Sequence, residues 1–378
     1  MSSGFAALPV RSRSRAVATG YVAGMRSWSR SGGAVAALVL ACLVGAGCGS
    51  AGTGRATGAT GAAGVGAAGS RPARSISVAA GRAPRSPANG SSGTPIPTVQ
   101  RPCGTLRGAP RVDRVLLVWE ENHSYSSVIG SSSAPEINML ARKCGLATHY
   151  EAVDHPSLPN YLQMTSGVPY TGYPWVDDCD PAGACTTTRK SVFSELDAAG
   201  KQWRSYVESM GGNCGLVSYG NYAAKHNPAV YYTPVRARCR AWDQPLGSLA
   251  SGALHSALAT GPRVSLTTVT PNVQHDMHDG TVNQADRWLA AWLPQIIASP
   301  AYRSGHLAVI LAWDEGFGSG NQASNAPLVV MSASTPAGTR SALAYNDYSV
   351  LGAVCDLTGV PDIGLAAKAP SLVRPFRL

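Results

Sequence analysis

Two uninterrupted apolar runs dominate the second part of the chain: Arg114-Val115-Leu116-Leu117-Val118-Trp119 and Leu307-Ala308-Val309-Ile310-Leu311-Ala312-Trp313. Neither alternates apolar with polar residues. Both therefore predict strands buried on two faces, as in a parallel sheet. Val264–Val269, Leu328–Met331 and Gln202–Val207 read as further strands. Between the strands the period changes. Trp288, Leu289, Trp292, Leu293 and Ile296 share one helical face within Thr281–Ile297. Ala134–Cys144, Ser191–Ala199 and Tyr348–Leu357 also predict helices, and Pro159–Thr165 predicts one that opens on a proline. Strands alternating with helices predict an α/β fold, with a mainly parallel central sheet and helices on both faces. Polar clusters follow three of the strands: Glu121-Asn122, the segment 271–279, and Asp314-Glu315. In open α/β sheets ligands bind along that C-terminal edge.

Before residue 101 the pattern vanishes. Arg11, Arg13, Arg15, Arg26 and Arg30 precede the uncharged apolar run Ala34–Gly47, which is short for a membrane span but suits a signal-peptide core. The run ends in Val44-Gly45-Ala46-Gly47-Cys48, which resembles a bacterial lipoprotein signal, although Gly45 stands where Leu is usual. Residues 1–48 are therefore expected to be a signal peptide of lipoprotein type. The chain would be exported, and either held at the cell membrane by a lipid on Cys48 or cleaved and secreted. Residues 49–100 are Gly, Ala, Ser, Pro and Arg with few large apolar side chains. Such a segment cannot bury enough surface to offset its ordering entropy, so a disordered linker is expected. Residues 101–378 are long enough for one folded domain.

Charge sharpens this division. The formal charge of +10 lies in the first 100 residues, which carry ten Arg and no Lys, Asp or Glu. The remainder holds 21 basic and 21 acidic residues. A folded nucleic-acid-binding domain would carry its basic patch on a folded face, so no nucleic-acid partner is expected. Membrane contact is expected only through the N-terminal anchor. Seven of the nine Cys fall in the folded part, and export permits disulfides. Proximity in sequence suggests Cys179–Cys185 and Cys214–Cys239, with at least one Cys left over.

Three clusters could carry chemistry. Asp314-Glu315 follows seven apolar residues, and adjacent carboxylates at a strand end favour a hard divalent cation over a solvated turn once Glu121-Asn122 joins them. His275-Asp276-Met277-His278-Asp279 could ligate metal, hold a phosphate, or be a polar entry to the next helix. His155-Pro156-Ser157-Leu158-Pro159-Asn160-Tyr161 puts a Ser at a helix start. Spacing alone leaves Ser157 as either a plain cap or a nucleophile near a phosphate-binding helix end.

Taken together these segments resemble the phosphoesterase family that includes bacterial acid phosphatases and phospholipases C. The matching stretches are Val118–Tyr125, His155–Gly167, Lys225-His226-Asn227-Pro228, Pro271–Asp279 and Trp313–Gly316. That family is similar to the wider alkaline phosphatase superfamily, which implies an alkaline phosphatase-like α/β core. The resemblance implies a phosphate-ester hydrolase for small phosphate esters, working through a phosphoserine. It implies Ser157 as nucleophile and Glu121, Asn122, Asp314 and Glu315 as ligands of one divalent metal ion, Mg, Ca, Mn or Zn. His155 and His278 would act at the leaving group, and Asp276 would orient a His or reach the metal. Asn122, His226 and Asn160 would contact the phosphate, and His123 would be structural. One departure stands out. Alkaline phosphatases hold two metals and use a His near the C-terminus, but here no His follows His306, which starts the strand leading to Asp314. Asn321, Gln322 and Asn325 occupy the segment where a further ligand could be sought. A phospholipase C-like diesterase and a non-catalytic surface protein are the alternative readings.

Overall fold

The structure is a computed structural model of the chain and describes residues 95–261, 263–317 and 325–378. The predicted signal peptide, the linker up to residue 94, and Asn321 and Gln322 lie outside the described residues. The strands are β1 Arg114–Glu120, β2 Gly145–Ala147, β3 Tyr150–Glu151, β4 Trp203–Val207 and β5 Asp243–Pro245. They continue with β6 Leu266–Thr270, β7 Leu307–Trp313, β8 Leu328–Ser332, β9 Thr339–Ser341 and β10 Tyr345–Asn346. One sheet runs in the order β5-β4-β6-β1-β7-β8-β2-β9, while β3 and β10 pair separately. Only β8 runs against its neighbours, antiparallel to β7 and β2. The fold is thus α/β with a mostly parallel central sheet.

Burial explains the unbroken apolar runs. Val115–Glu120 in β1 and every residue of β7 and β8 are buried, so both faces of the sheet centre are covered. The helix Pro135–Lys143 packs on Val282–Ala298, and Ser157–Ser166 packs on Asp347–Thr358. Each fully buried Val, Leu or Ile contributes about 1.5–3 kcal/mol. Truncating one at the centre, such as Leu311→Ala, would cost about 2–5 kcal/mol.

Helix ends follow local chemistry. Thr281 and Gln284 form a reciprocal cap on Val282–Ala298, and Asn346 and Ser349 do the same for Asp347–Thr358. The helix Ser157–Ser166 begins two residues before the expected Pro159, so Ser157 is its first residue. Pro159 is tolerated because the first turn leaves its N–H positions unbonded. The helix stops at Gly167, whose φ is 71° and where a Cβ would collide with the Ile363 carbonyl.

Both expected disulfides are present, and Cys103–Cys144 forms a third. Cys355 is the unpaired, buried Cys among the described residues. Among those residues no helix is long and apolar enough to cross a membrane.

Strand register places the site. Glu120 pairs with Trp313 and Val118 with Val269, so β1, β7 and β6 end together. Glu121, Asp314 and the 271–279 loop therefore meet at one edge. One surface cavity lies elsewhere. It is lined by Arg101, Leu106, Ser304 and Gly305, before the start of β7, and holds none of this chemistry.

Candidate active site

Ser157 opens a helix whose ten residues are all buried. Its Oγ donates to Glu121 Oε2 at 3.1 Å. The other Glu121 oxygen accepts from Tyr161 Oη at 2.6 Å and lies 3.0 Å from His226 Nε2. His226 is buried and pairs through Nδ1 with Asp276 Oδ2 at 3.0 Å. Asp276 closes the loop. Its carbonyl accepts the Glu121 N–H at 2.7 Å and its Oδ1 accepts the His278 N–H at 2.8 Å. One chain of contacts therefore joins the ends of β1 and β6 to the start of the Ser157 helix.

Asp314 and Glu315 sit beside this chain. Both are buried, and Asp314 Oδ1 accepts the Glu315 N–H at 2.7 Å. Asp314 Oδ2 has no hydrogen-bond partner among the described residues. Glu315 Oε2 meets His155 Nδ1 at 2.5 Å, and the His155 side chain is 49% exposed. That exposure leaves one face of the imidazole open to an incoming molecule. Asn122 follows β1 in the left-handed region, with φ 46°, which Asn tolerates better than most residues. Its side chain makes no hydrogen bond among the described residues. His123 Nδ1 contacts the Glu121 carbonyl at 3.3 Å, a local backbone contact in keeping with its expected structural role.

The electrostatics are unbalanced. Burial raises the pKa of Asp314 well above the carboxylate range, and Glu121 and Glu315 raise it further. Burial, then Glu121 and Asp178, push Glu315 up to about 8. Burial also raises Asp276, against the pull of His226. Burial would raise Glu121 too, but the charge and hydrogen bond of His226 outweigh it and hold Glu121 low. Burial opposes protonation of His226, yet Glu121 and Asp276 hold its pKa up at about 9. Four buried carboxylates thus share one imidazolium and the ammonium of Lys225.

A cation fits this arrangement. Ligand atoms of Glu121, His226 and His278 all lie within 4.8 Å of one another, and Asp314 Oδ2 is buried without a partner. The carboxylate and imidazole set suits Mg, Mn or Zn, with Ca favouring the oxygens.

Several expectations change. His226 was expected at the phosphate, but its Nδ1 is held by Asp276 and its Nε2 faces Glu121 Oε1 without a hydrogen bond, which turns the ring towards the carboxylate cluster. Asn160 was expected to touch substrate, but its amide bridges the N–H and carbonyl of Asp154, at 2.9 Å each. It therefore shapes the loop before Ser157. His278 was expected to protonate the leaving group. Its Nδ1 lies 2.8 Å from Asp279 Oδ1 and its Nε2 lies 3.1 Å from Lys225 Nζ. An ammonium can only donate, so the ring proton belongs on Nδ1 and Nε2 carries a lone pair. A nitrogen without a proton is not an acid, and it would reach a cation only on parting from Lys225. Asn325 is no ligand here either. Its amide ties the Tyr150 N–H to the Thr148 carbonyl.

The structure also adds residues that spacing did not single out. Lys225 Nζ pairs with Asp178 Oδ2 at 2.7 Å, and Asp178 Oδ1 accepts the Leu158 N–H at 2.9 Å. Lys225 directly precedes His226, the one available signal. Asp178 comes from a loop with no periodicity that points to the site.

Known proteins match this chain in the region of the site. The phosphoesterase family profile matches residues 131–361. A phosphatidylinositol-3-phosphatase of Mycobacterium tuberculosis is 32% identical over 70% of this chain and 82% of its own length. An acid phosphatase of Aspergillus fumigatus is 26% identical over 67% of this chain, which spans only 56% of the fungal protein. A solved structure of an alkaline phosphatase superfamily protein from Vibrio parahaemolyticus superposes with a TM-score of 0.49 at 12% identity, covering 74% of each chain. With a profile match over more than half the chain and a relative above 30% identity, this chain belongs to the phosphoesterase family, as a hydrolase of phosphate esters.

Proposed function

We propose that the chain is an exported, metal-dependent acid phosphatase-like enzyme that hydrolyses phosphate monoesters through a phosphoseryl intermediate on Ser157. The observation that carries this reading is Ser157 itself. It is a buried hydroxyl at a helix start, bonded to Glu121 within a group of carboxylates that outnumbers its cationic partners. Glu121, Asp314, His226 and His278 would hold the metal, with Asn122 and Glu315 at its margin. A bound divalent cation supplies positive charge that favours the serine alkoxide and offsets charge on the phosphoryl group.

The chain's own residues supply the rest. Glu121 Oε2 accepts the Ser157 O–H hydrogen bond and orients Oγ. Oγ attacks phosphorus in line, and the bond to the ester oxygen breaks. His155, half-exposed and held by Glu315, is placed to protonate that leaving oxygen. Water then cleaves the phosphoseryl ester and releases inorganic phosphate. The names of the relatives, acid phosphatases and a phosphatidylinositol-3-phosphatase, favour a monoester over a diester. Three disulfides fit an oxidising compartment, which supports export.

Turnover of chromogenic mono- and diesters, with and without a chelator, tests the reading. Metal-dependent monoester hydrolysis is expected. Faster diester hydrolysis, or activity indifferent to chelation, would overturn it.

A further inference from the structure

We propose that Lys225 is the phosphoryl-binding cation of this site, and that the Asp178 carboxylate occupies the phosphoryl seat until substrate arrives. The proposal rests on Ser157 as the residue that receives the phosphoryl group. Leu158 is the second residue of the Ser157 helix, so its N–H belongs to the first turn and has no partner within the helix. That end of the helix carries the positive pole of the macrodipole. A phosphoryl group on Ser157 needs donors at this spot, and a helix N–H with a nearby ammonium suits its oxygens.

Both donors are already used by one carboxylate. Asp178 Oδ1 takes the Leu158 N–H at 2.9 Å and Asp178 Oδ2 takes Lys225 Nζ at 2.7 Å. Two oxygens on one carbon bridge the two donors, as two oxygens on one phosphorus would. Lys225 is drawn to this place by more than Asp178. Its side chain is only 18% exposed, its Nζ is 3.1 Å from His278 Nε2, and it lies in the field of Glu121 and Asp314. Asp178 itself is held in the left-handed region, with φ 51°, next to the Cys179–Cys185 disulfide. Asp180, two residues on, is tied to Ser218 at 2.6 and 3.1 Å. The loop backbone is thus anchored directly after Asp178, and Asp178 can vacate the seat by rotating its side chain. Substrate then exchanges one anion for another, with Lys225 remaining as the counter-charge.

The test is calorimetric binding of inorganic phosphate, in buffer containing the divalent metal, to the full chain carrying Ser157→Ala. Lys225→Met is expected to weaken phosphate roughly 10-fold or more, the loss of one charge-assisted contact, and Lys225→Arg to recover much of it. Asp178→Asn keeps an acceptor for the Leu158 N–H but loses the competing charge, so phosphate is expected to bind several-fold tighter. In the chain with Ser157 present, the same pair should move KM in opposite directions with smaller changes in kcat. A residue that merely supports the fold would lower kcat and melting temperature together. Unchanged phosphate affinity in Lys225→Met, or weaker binding in Asp178→Asn, would overturn the proposal. Phosphate binding that responds as expected in a protein that hydrolyses no ester would sink the enzymatic reading and leave this one standing.

Discussion

Two trios among the described residues have the spacing of a metal site, and they differ in what their donors already do. Glu121, His226 and His278 form one, and Cys214, Cys239 and Asp243 form the other, each with ligand atoms within 4.8 Å of one another. In the second, the two sulfurs are joined in a disulfide and cannot act as thiolates. Its carboxylate accepts from Asn227 Nδ2 at 2.8 Å. In the first, no covalent bond ties up the donors; an unpartnered buried carboxylate oxygen is common to both, Asp314 Oδ2 beside the first and Asp243 Oδ1 in the second. His226 and Asn227 are sequence neighbours, yet one faces the open trio and the other the closed one. Ligand spacing alone therefore does not make a metal site. The donors must be free to bind, and the surrounding charge must be unbalanced.

The sharpest way to break this contrast is to remove the hydroxyl beside the open trio. Ser157→Ala is expected to lower turnover of a chromogenic phosphomonoester by roughly 10⁴-fold, with an unchanged circular dichroism spectrum. Near-normal turnover would take Ser157 out of the nucleophile role. Next in size is Asp314→Asn. Loss of a buried ligand charge is expected to cut metal affinity and activity by about 100-fold, as read by metal analysis after dialysis. Equal metal content in variant and parent would contradict the assignment.

The closed trio should behave in the opposite way. Replacing Cys214 and Cys239 with Ser is expected to cost about 2–4 kcal/mol of stability by denaturant unfolding. Bound metal at the active site should stay constant; a drop in proportion to the missing sulfurs would make the second trio a metal site after all. A further effect concerns Asp243 and is read through pH. Burial raises its pKa from 3.8 to about 7, with Asn227 and Ser205 opposing. Between those values the folded protein keeps a proton that the unfolded chain releases. Stability from this group is therefore full below the unfolded value and declines as pH rises towards 7, by at most about 1.4 kcal/mol per pH unit. Asp243→Asn should flatten that slope in a series of unfolding curves. An identical pH slope in parent and variant would show that Asp243 does not bind the extra proton.

Much of the fold could be read directly from the chain. The expected strands at 114, 202, 264, 307 and 328 appear within about two residues of their predicted limits, because unbroken apolar runs have few other stable solutions. β2, β3, β5, β9 and β10 went unread, since two or three residues carry no period of their own. The reversed direction of β8 was equally hidden. A run of apolar residues reads the same whichever way the strand lies in the sheet.

The site divides along the same line. Glu121, Asp314 and Glu315 stand directly after strands that the pattern marks, whereas Ser157 and Asp276 took their expected roles from the family resemblance. Local order also carried the division between a basic leader and a charge-balanced domain, since both depend on composition alone. The partners were another matter. Glu121 meets His226 across 105 positions, and Asp178 meets Lys225 across 47. His226 and Asn160 were assigned to the phosphate by the family resemblance, and packing gave them other partners. The chain states which groups are available near each boundary. Which of them remain free to bind a ligand depends on contacts between distant segments, and those exist only once the sheet has closed and expelled water from its edge.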